Sequence, residues 1–216
     1  MLKQILEELH STKTQLVAVS KTKPNSAIVE LYEQGQRDFG ENRVQELTEK
    51  YESLPKDIRW HAIGHLQTNK VKYIAPFVHL IHSVDSPRLL KEINKQASRN
   101  ERTISCLLQF HIAEENTKYG LDLEEAKELL EKVYPSLENV RIVGVMGMAT
   151  FTDDEVQVKK EFQQLKRIFD SLKTNFFAEK SDFKEISMGM SGDYAIAIEA
   201  GSTMVRIGSL LFGARS

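Results

Sequence analysis

Six residues carry most of the chemical information in this sequence: Lys21, Ser191, Gly192, Arg206, Gly208 and Ser209. Lys21 stands in AVSKTKP at 18–24, directly after a short apolar run. A lysine amine attacks a carbonyl only when unprotonated, and partial desolvation beside other cations drives it toward that state. Ser191 and Gly192 lie in SMGMSGD at 187–193, and Gly208 and Ser209 in RIGS at 206–209. Glycines without a Cβ let backbone amides approach phosphate oxygens closely, and a serine opening a helix adds a hydroxyl and unpaired N–H groups. An imine-forming lysine joined to an anion cradle suits an aldehyde that carries a phosphate. The plain alternatives are a solvated lysine, glycines that only turn the chain and a serine that only caps a helix.

Arg206 interrupts an apolar strand, so its guanidinium needs either an acceptor or a watery cavity. An ion pair with Glu41 or Glu199 and a ligand role stand level. Against a pyridine ring, arginine would donate without surrendering its proton, leaving the ring nitrogen unprotonated and a weak electron sink. Asn42 can hydrogen-bond a ligand or cap the next helix. Lys23 reads as solvent-facing or as a distant cation near the phosphate. His61 and His65 lie four apart, but Gly64 and the strand-to-loop context do not put them on one helical face, so no metal site is expected. His61 and His82 are expected inside the fold as hydrogen-bonded imidazoles, and His82 counts among the candidate ligand contacts. Met146 and Met148 read as core filler.

These residues need a scaffold, and the chain supplies an alternation of strands and helices. Strands are expected at 16–20, 37–40, 58–63, 78–84, 104–112, 140–146, 185–188 and 204–207. Between them run amphipathic stripes such as Ile28, Leu31 and Tyr32, or Leu90, Ile93 and Ala97 after Ser86 and Pro87. Thr152 and Glu155 have the spacing of a capping box ahead of Val158, Phe162, Leu165, Phe169 and Leu172. Strand alternating with helix argues for parallel pairing. The fold class is therefore α/β: a single (β/α)₈ TIM-type barrel over residues 1–216, with no C-terminal β domain. Leu2, Ile5, Leu6 and Leu9 mark an extra N-terminal helix, expected to cover the place of the missing eighth helix. Phosphate in such barrels binds at the loops after strands seven and eight, on the rim that Lys21 shares.

Composition narrows the partners. The 29 Lys and Arg against 31 Asp and Glu give a net charge of -2, which offers no general attraction to nucleic acid or anionic membranes. One cysteine, Cys106, excludes an internal disulfide, and no apolar run approaches the length of a membrane span, so a cytoplasmic protein is expected.

Seven segments together resemble the pyridoxal phosphate homeostasis proteins of the YggS/PROSC type: AVSKTKP at 18–24, FGENRVQE at 39–46, WHAIGHLQTNK at 60–70, SVDS at 83–86, GVMGMAT at 144–150, SMGMSGDY at 187–194 and GSTMVRIGSLLFGAR at 201–215. The resemblance implies a barrel like the N-terminal domain of alanine racemase. It also implies pyridoxal 5'-phosphate held on Lys21 as an imine, Arg206 facing the pyridine nitrogen, and phosphate contacts from Ser191, Gly192, Gly208 and Ser209. The segment 115–120 matches less closely and receives no role.

The family is regarded as carrying or buffering the cofactor, with effects on amino-acid and keto-acid balance. Racemisation on such a barrel needs a second acid-base group opposite the lysine, supplied in alanine racemase by a further domain and a partner subunit. A carrier is therefore the leading reading, with apo-enzymes as candidate recipients and a monomer expected. A racemase or lyase of unknown substrate is the alternative, and a cofactor-free phosphosugar enzyme the third.

Overall fold

A computed structural model describes residues 1–114 and 119–213. Eight parallel strands close into a barrel in sequence order: β1 (Gln15–Val19), β2 (Asp38–Glu41), β3 (Arg59–Ala62), β4 (Leu80–Val84), β5 (Ile104–Gln109), β6 (Val140–Met146), β7 (Glu185–Met190) and β8 (Met204–Ile207). Closure is made by β8 against β1, with Arg206 opposite Val17. The crossovers include α2 (Asn25–Glu33), α3 (Val44–Ser53), α4 (Val71–Ile74), α5 (Pro87–Arg99), α6 (Leu123–Lys132), α7 (Glu155–Phe176) and α8 (Tyr194–Glu199). Among the described residues no helix is long and apolar enough to cross a membrane.

Successive strand residues face opposite sides, and the packing divides accordingly. Leu16, Ala18, Cys106, Leu108, Val145 and Val205 join the large core under the helices. Their neighbours Val17, Leu107, Met146 and Met204, with Leu80, form a separate small cluster that fills the barrel interior. The same phase turns Asp38, His61, His82, Ser187 and Arg206 inward, because Phe39, Trp60, Ile81, Ile186 and Val205 beside them face the helices.

The N-terminal helix α1 (Leu2–Thr12) buries Leu2, Ile5 and Leu9 and packs against β1. Tyr194 of α8 donates to Glu8 at 2.8 Å, so α1 lies beside β1 and α8, where a full helix after β8 would sit. Among the described residues, the four-residue α9 (Ser209–Phe212) follows β8.

Several boundaries depart from the sequence reading. β5 stops at Gln109, and Phe110 makes an isolated bridge to Leu121. β7 runs on to Met190. The expected Thr152 and Glu155 capping box does not form: Asp154 caps α7, its carboxylate accepting from Val156 and Gln157 N–H, while Thr152 Oγ1 accepts from Asp154 N–H. Asp154 lies directly before the helix and takes the cap, leaving Glu155 as the first helical residue. A true capping box joins Asp122 and Glu125 at the start of α6.

Candidate functional site

The strand carboxyl ends surround a cavity of about 630 Å³, in the range of small-molecule sites. Lys21, Lys23, Asn42, Ser191, Gly192, Arg206, Gly208 and Ser209 all line it, so β1, β2, β7 and β8 deliver their predicted residues to one space. His82 does not. It is fully buried in the barrel interior and lies 2.9 Å from Ser187 Oγ through Nδ1.

The Lys21 wall is tightly held. Ser20, fully buried, donates through Oγ to Glu41 Oε1 at 2.6 Å. Thr22 has a left-handed φ of 64°, and its N–H donates to Glu46 Oε1 at 2.6 Å. Lys50 links these anchors: its ammonium donates to Ser20 O at 2.8 Å, Glu41 Oε1 at 2.8 Å and Glu46 Oε1 at 2.6 Å. All three ammonium hydrogens are thus used. Burial pushes the Glu41 carboxyl up, and the Lys50 and Ser20 hydrogen bonds oppose that rise. Lys23 donates to Phe212 O at 3.0 Å and Gly213 O at 3.3 Å, which ties the Lys21 loop to the end of α9. It is therefore not purely solvent-facing. Asn42 is exposed on the rim, and Arg43, not Asn42, occupies the N-cap of α3.

The opposite wall is the anion cradle. Ser191 does not cap a helix, since α8 begins at Tyr194 with Asp193 in the cap position. Its hydroxyl instead accepts the Gly208 N–H at 3.2 Å, joining the loops after β7 and β8. Asp193 Oδ1 accepts the Met190 N–H at 2.5 Å and closes the turn that carries Ser191 and Gly192. A Cβ on Gly192 would meet nothing within 4 Å, so its backbone stands open. A Cβ on Gly208 would lie 3.2 Å from Val19 O, so only a glycine lets β8 leave this close to β1 without displacement.

Arg206 forms the floor. It is 4% exposed, and burial pushes its guanidinium down to about 10, which leaves it cationic at neutral pH. Nη1 donates to Ser187 Oγ at 2.6 Å and Nη2 to Gly147 O at 3.0 Å. Neither carboxylate weighed as an ion-pair partner meets it: Glu41 bonds Lys50 and Ser20, and Glu199 bonds Lys159.

Sequence reasoning missed several contributors. Gln109 lines the cavity and donates to Tyr119 O at 2.9 Å. His65, bonded to Asp85 at 3.1 Å and stacked on Tyr119, lies on the rim, as does Phe151 at 97% exposure. Met148 also lines the cavity instead of serving as core alone, whereas Met146 is interior filler as expected. Glu41, Glu46, Ser187 and Asp193 all sat inside the family-like segments, which was the available signal. Residues 115–118 of the segment that received no role lie outside the described residues. At the other end of the barrel, Asp38, His61 and His79 have metal-compatible spacing. Both Asp38 oxygens already accept from Arg59, at 2.7 and 2.5 Å, so an ion there would have to displace a guanidinium.

The fit to a phosphorylated aromatic aldehyde is good on the geometry alone. One wall carries an amine, the other an open pair of amide-bearing turns, and the floor a buried donor.

The chain matches the family described as alanine racemase, N-terminal domain, over residues 2–216. It is 42% identical over 202 residues to the pyridoxal phosphate homeostasis protein of Aquifex aeolicus, covering 93% of this chain and 87% of that one. Against the human pyridoxal phosphate homeostasis protein it is 38% identical over 220 residues, covering 96% and 79%. Among solved structures, PipY of Synechococcus elongatus superposes at 34% identity over 99% of this chain and 100% of that one, with TM-scores of 0.90 without PLP and 0.85 with PLP bound.

Proposed function

The chain belongs to the alanine racemase N-terminal-domain family and, within it, to the pyridoxal phosphate homeostasis proteins, and from that premise we propose that it binds pyridoxal 5'-phosphate reversibly and carries or buffers it. The observation that carries this reading is the convergence of Lys21, Arg206, Ser191 and Gly208 on one cavity.

In this reading the unprotonated Lys21 amine attacks the aldehyde carbon, a C=N bond forms and the carbonyl oxygen leaves as water. The Ser191 and Ser209 hydroxyls and the Gly192 and Gly208 amides hold the phosphate, and Asn42 contacts the ligand from the rim. Arg206 donates toward the pyridine nitrogen. When bound, the cofactor is a protected aldehyde whose ring serves as an electron sink. Because arginine keeps its proton, Arg206 leaves that sink weak.

The chain works as one domain and as a monomer in the cytoplasm, and its recipients are apo-enzymes that use the same cofactor. The racemase or lyase alternative predicts catalytic α-hydrogen exchange when single amino acids are mixed with loaded protein in deuterium oxide. The carrier reading expects none. The primary test is borohydride reduction of protein loaded with pyridoxal 5'-phosphate, followed by peptide mapping. The label is expected on Lys21, and a label elsewhere, or no visible absorption on loading, refutes the assignment.

A further inference from the structure

Arg206 is a buried cation whose hydrogen-bond partners are a hydroxyl and a carbonyl, with no carboxylate in contact. Taking a guanidinium out of water is costly unless its charge is answered. Asp193 favours the cation through space, and a second carboxylate is linked to it by hydrogen bonds across the barrel. Ser187 Oγ, which accepts from Arg206, is 2.9 Å from His82 Nδ1. His82 Nε2 is 2.9 Å from His61 Nδ1, and His61 Nε2 is 3.0 Å from Asp38 Oδ1. The five residues come from β8, β7, β4, β3 and β2, and all are buried.

The direction of this chain follows from Asp38, whose carboxylate can only accept, and from a single proton on each imidazole. His61 then carries its proton on Nε2 and donates it to Asp38, and His82 carries its proton on Nε2 and donates it to His61 Nδ1. His82 Nδ1 is left as an acceptor, so Ser187 Oγ donates its one hydrogen there while accepting from Arg206. Every neutral link points from the cation toward the carboxylate, and hydrogen bonds aligned in this way polarise one another. Burial pushes His82 well below the ordinary histidine value, and the Arg206 cation acts in the same direction. The other charged groups facing the chain are Arg59, on Asp38, His79, against the His61 ring, and Asp193, near Arg206.

We propose that Ser187, His82, His61 and Asp38 are positioning residues of the cofactor site: a one-way hydrogen-bonded chain that answers the charge of Arg206 from the far end of the barrel and holds its guanidinium toward the cavity. The proposal rests on the reading of Arg206 as the partner of the cofactor ring. It assigns a remote electrostatic role to Asp38, which lies outside the cavity lining.

The test has two arms. In cofactor-free protein, two-bond proton–nitrogen NMR reads the tautomers of His61 and His82. Protonation of both on Nε2 is expected, and a proton on His82 Nδ1 reverses the chain and overturns the proposal. In protein loaded with pyridoxal 5'-phosphate, the visible band is titrated with pH in the wild type, Ser187→Ala, Asp38→Asn and Arg59→Gln, each checked for folding by circular dichroism. Removing the negative end disfavours a cationic imine, so Asp38→Asn and Ser187→Ala are expected to lower the midpoint by roughly half a unit or more. Arg59→Gln keeps the carboxylate and removes its counter-cation, and is expected to leave the midpoint in place or raise it. An unmoved midpoint in Asp38→Asn, or an equal fall in Arg59→Gln, overturns the chain while leaving the carrier reading intact. Failure of the wild type to load at all removes the carrier reading instead. Should Asp38→Asn not fold, the tautomer arm and Ser187→Ala decide.

Discussion

The Ser191 hydroxyl accepts the Gly208 backbone N–H at 3.2 Å, so the loops after β7 and β8 are joined before any anion arrives. Two segments separated by seventeen positions thereby act as one surface. Arg206, two residues before Gly208, enters the cavity from the same strand end, so the orientation of the cradle and that of the floor are fixed together.

Lys21 faces this surface from β1. Lys21→Ala is expected to abolish borohydride-trapped cofactor while leaving the barrel folded, because the residue is half-buried at the rim. The measurements are mass spectrometry of the reduced protein and a urea melt. Lys23→Ala should keep the trapped adduct, since that ammonium is engaged with Phe212 and Gly213 carbonyls.

Lys50 is the second lysine of consequence, although it does not touch the cavity. Lys50→Met removes the partner of Glu41, whose other carboxylate oxygen already has no hydrogen-bond partner among the described residues. A buried carboxylate stranded in this way costs about 3–5 kcal/mol. A urea melt reads that loss, and the double variant Glu41→Gln with Lys50→Met should recover part of it. The single variant should also hold cofactor less firmly, because Ser20 O loses its donor and the Glu46 carboxylate that holds Thr22 N–H loses its ammonium partner, on either side of Lys21.

The barrel interior should make the protein sensitive to acid in two steps. The His82 imidazole is held below its ordinary value by burial, so the stability it contributes is complete above about pH 6.5 and is lost as pH falls below that. Burial alone would raise the Asp38 carboxyl, but hydrogen bonds from Arg59 and His61 more than reverse this and hold it well below the carboxylate range. Its contribution is therefore intact above about pH 4 and lost as pH drops further. Urea midpoints measured from neutral to acid should fall less in Asp38→Asn than in the wild type below about pH 4. Equal slopes there would show that Asp38 is not depressed.

Much of this was legible in the sequence because barrels write themselves plainly: buried strands read as apolar runs, helices as stripes, and the catalytic rim as whatever follows each strand. That rule, together with family-like motifs, singled out Lys21, Asn42, Ser191, Gly192, Arg206, Gly208 and Ser209, which line one cavity. What escaped depends on contacts across the barrel. Arg206 meets Ser187 and Gly147, while the two carboxylates that seemed suitable are taken by Lys50 and Lys159. His82 was foreseen in the interior, but its separation from the cavity by Ser187 depends on which strands face one another across the lumen. Ser191 looked like a cap because its residue type favours one, whereas Asp193 stands closer to the first helical residue.

The two cradle glycines separate binding from packing. At Gly192 a methyl meets no protein atom, so Gly192→Ala should leave stability unchanged or slightly higher, through a less flexible unfolded chain. Any loss of pyridoxal 5'-phosphate affinity there reports the methyl entering the ligand's space. At Gly208 the backbone has a φ of -120°, which alanine adopts readily, so strain comes only from the approach to Val19 O at 3.2 Å. Relief of that contact by a few tenths of an ångström moves the Gly208 N–H away from Ser191 and from the phosphate. Gly208→Ala should therefore lower stability by about 1 kcal/mol and weaken cofactor binding about tenfold, the worth of one charge-assisted hydrogen bond. Fluorescence titration and urea melts on both variants check the pattern. If Gly208→Ala binds as tightly as the wild type while Gly192→Ala does too, the phosphate does not lie between these loops.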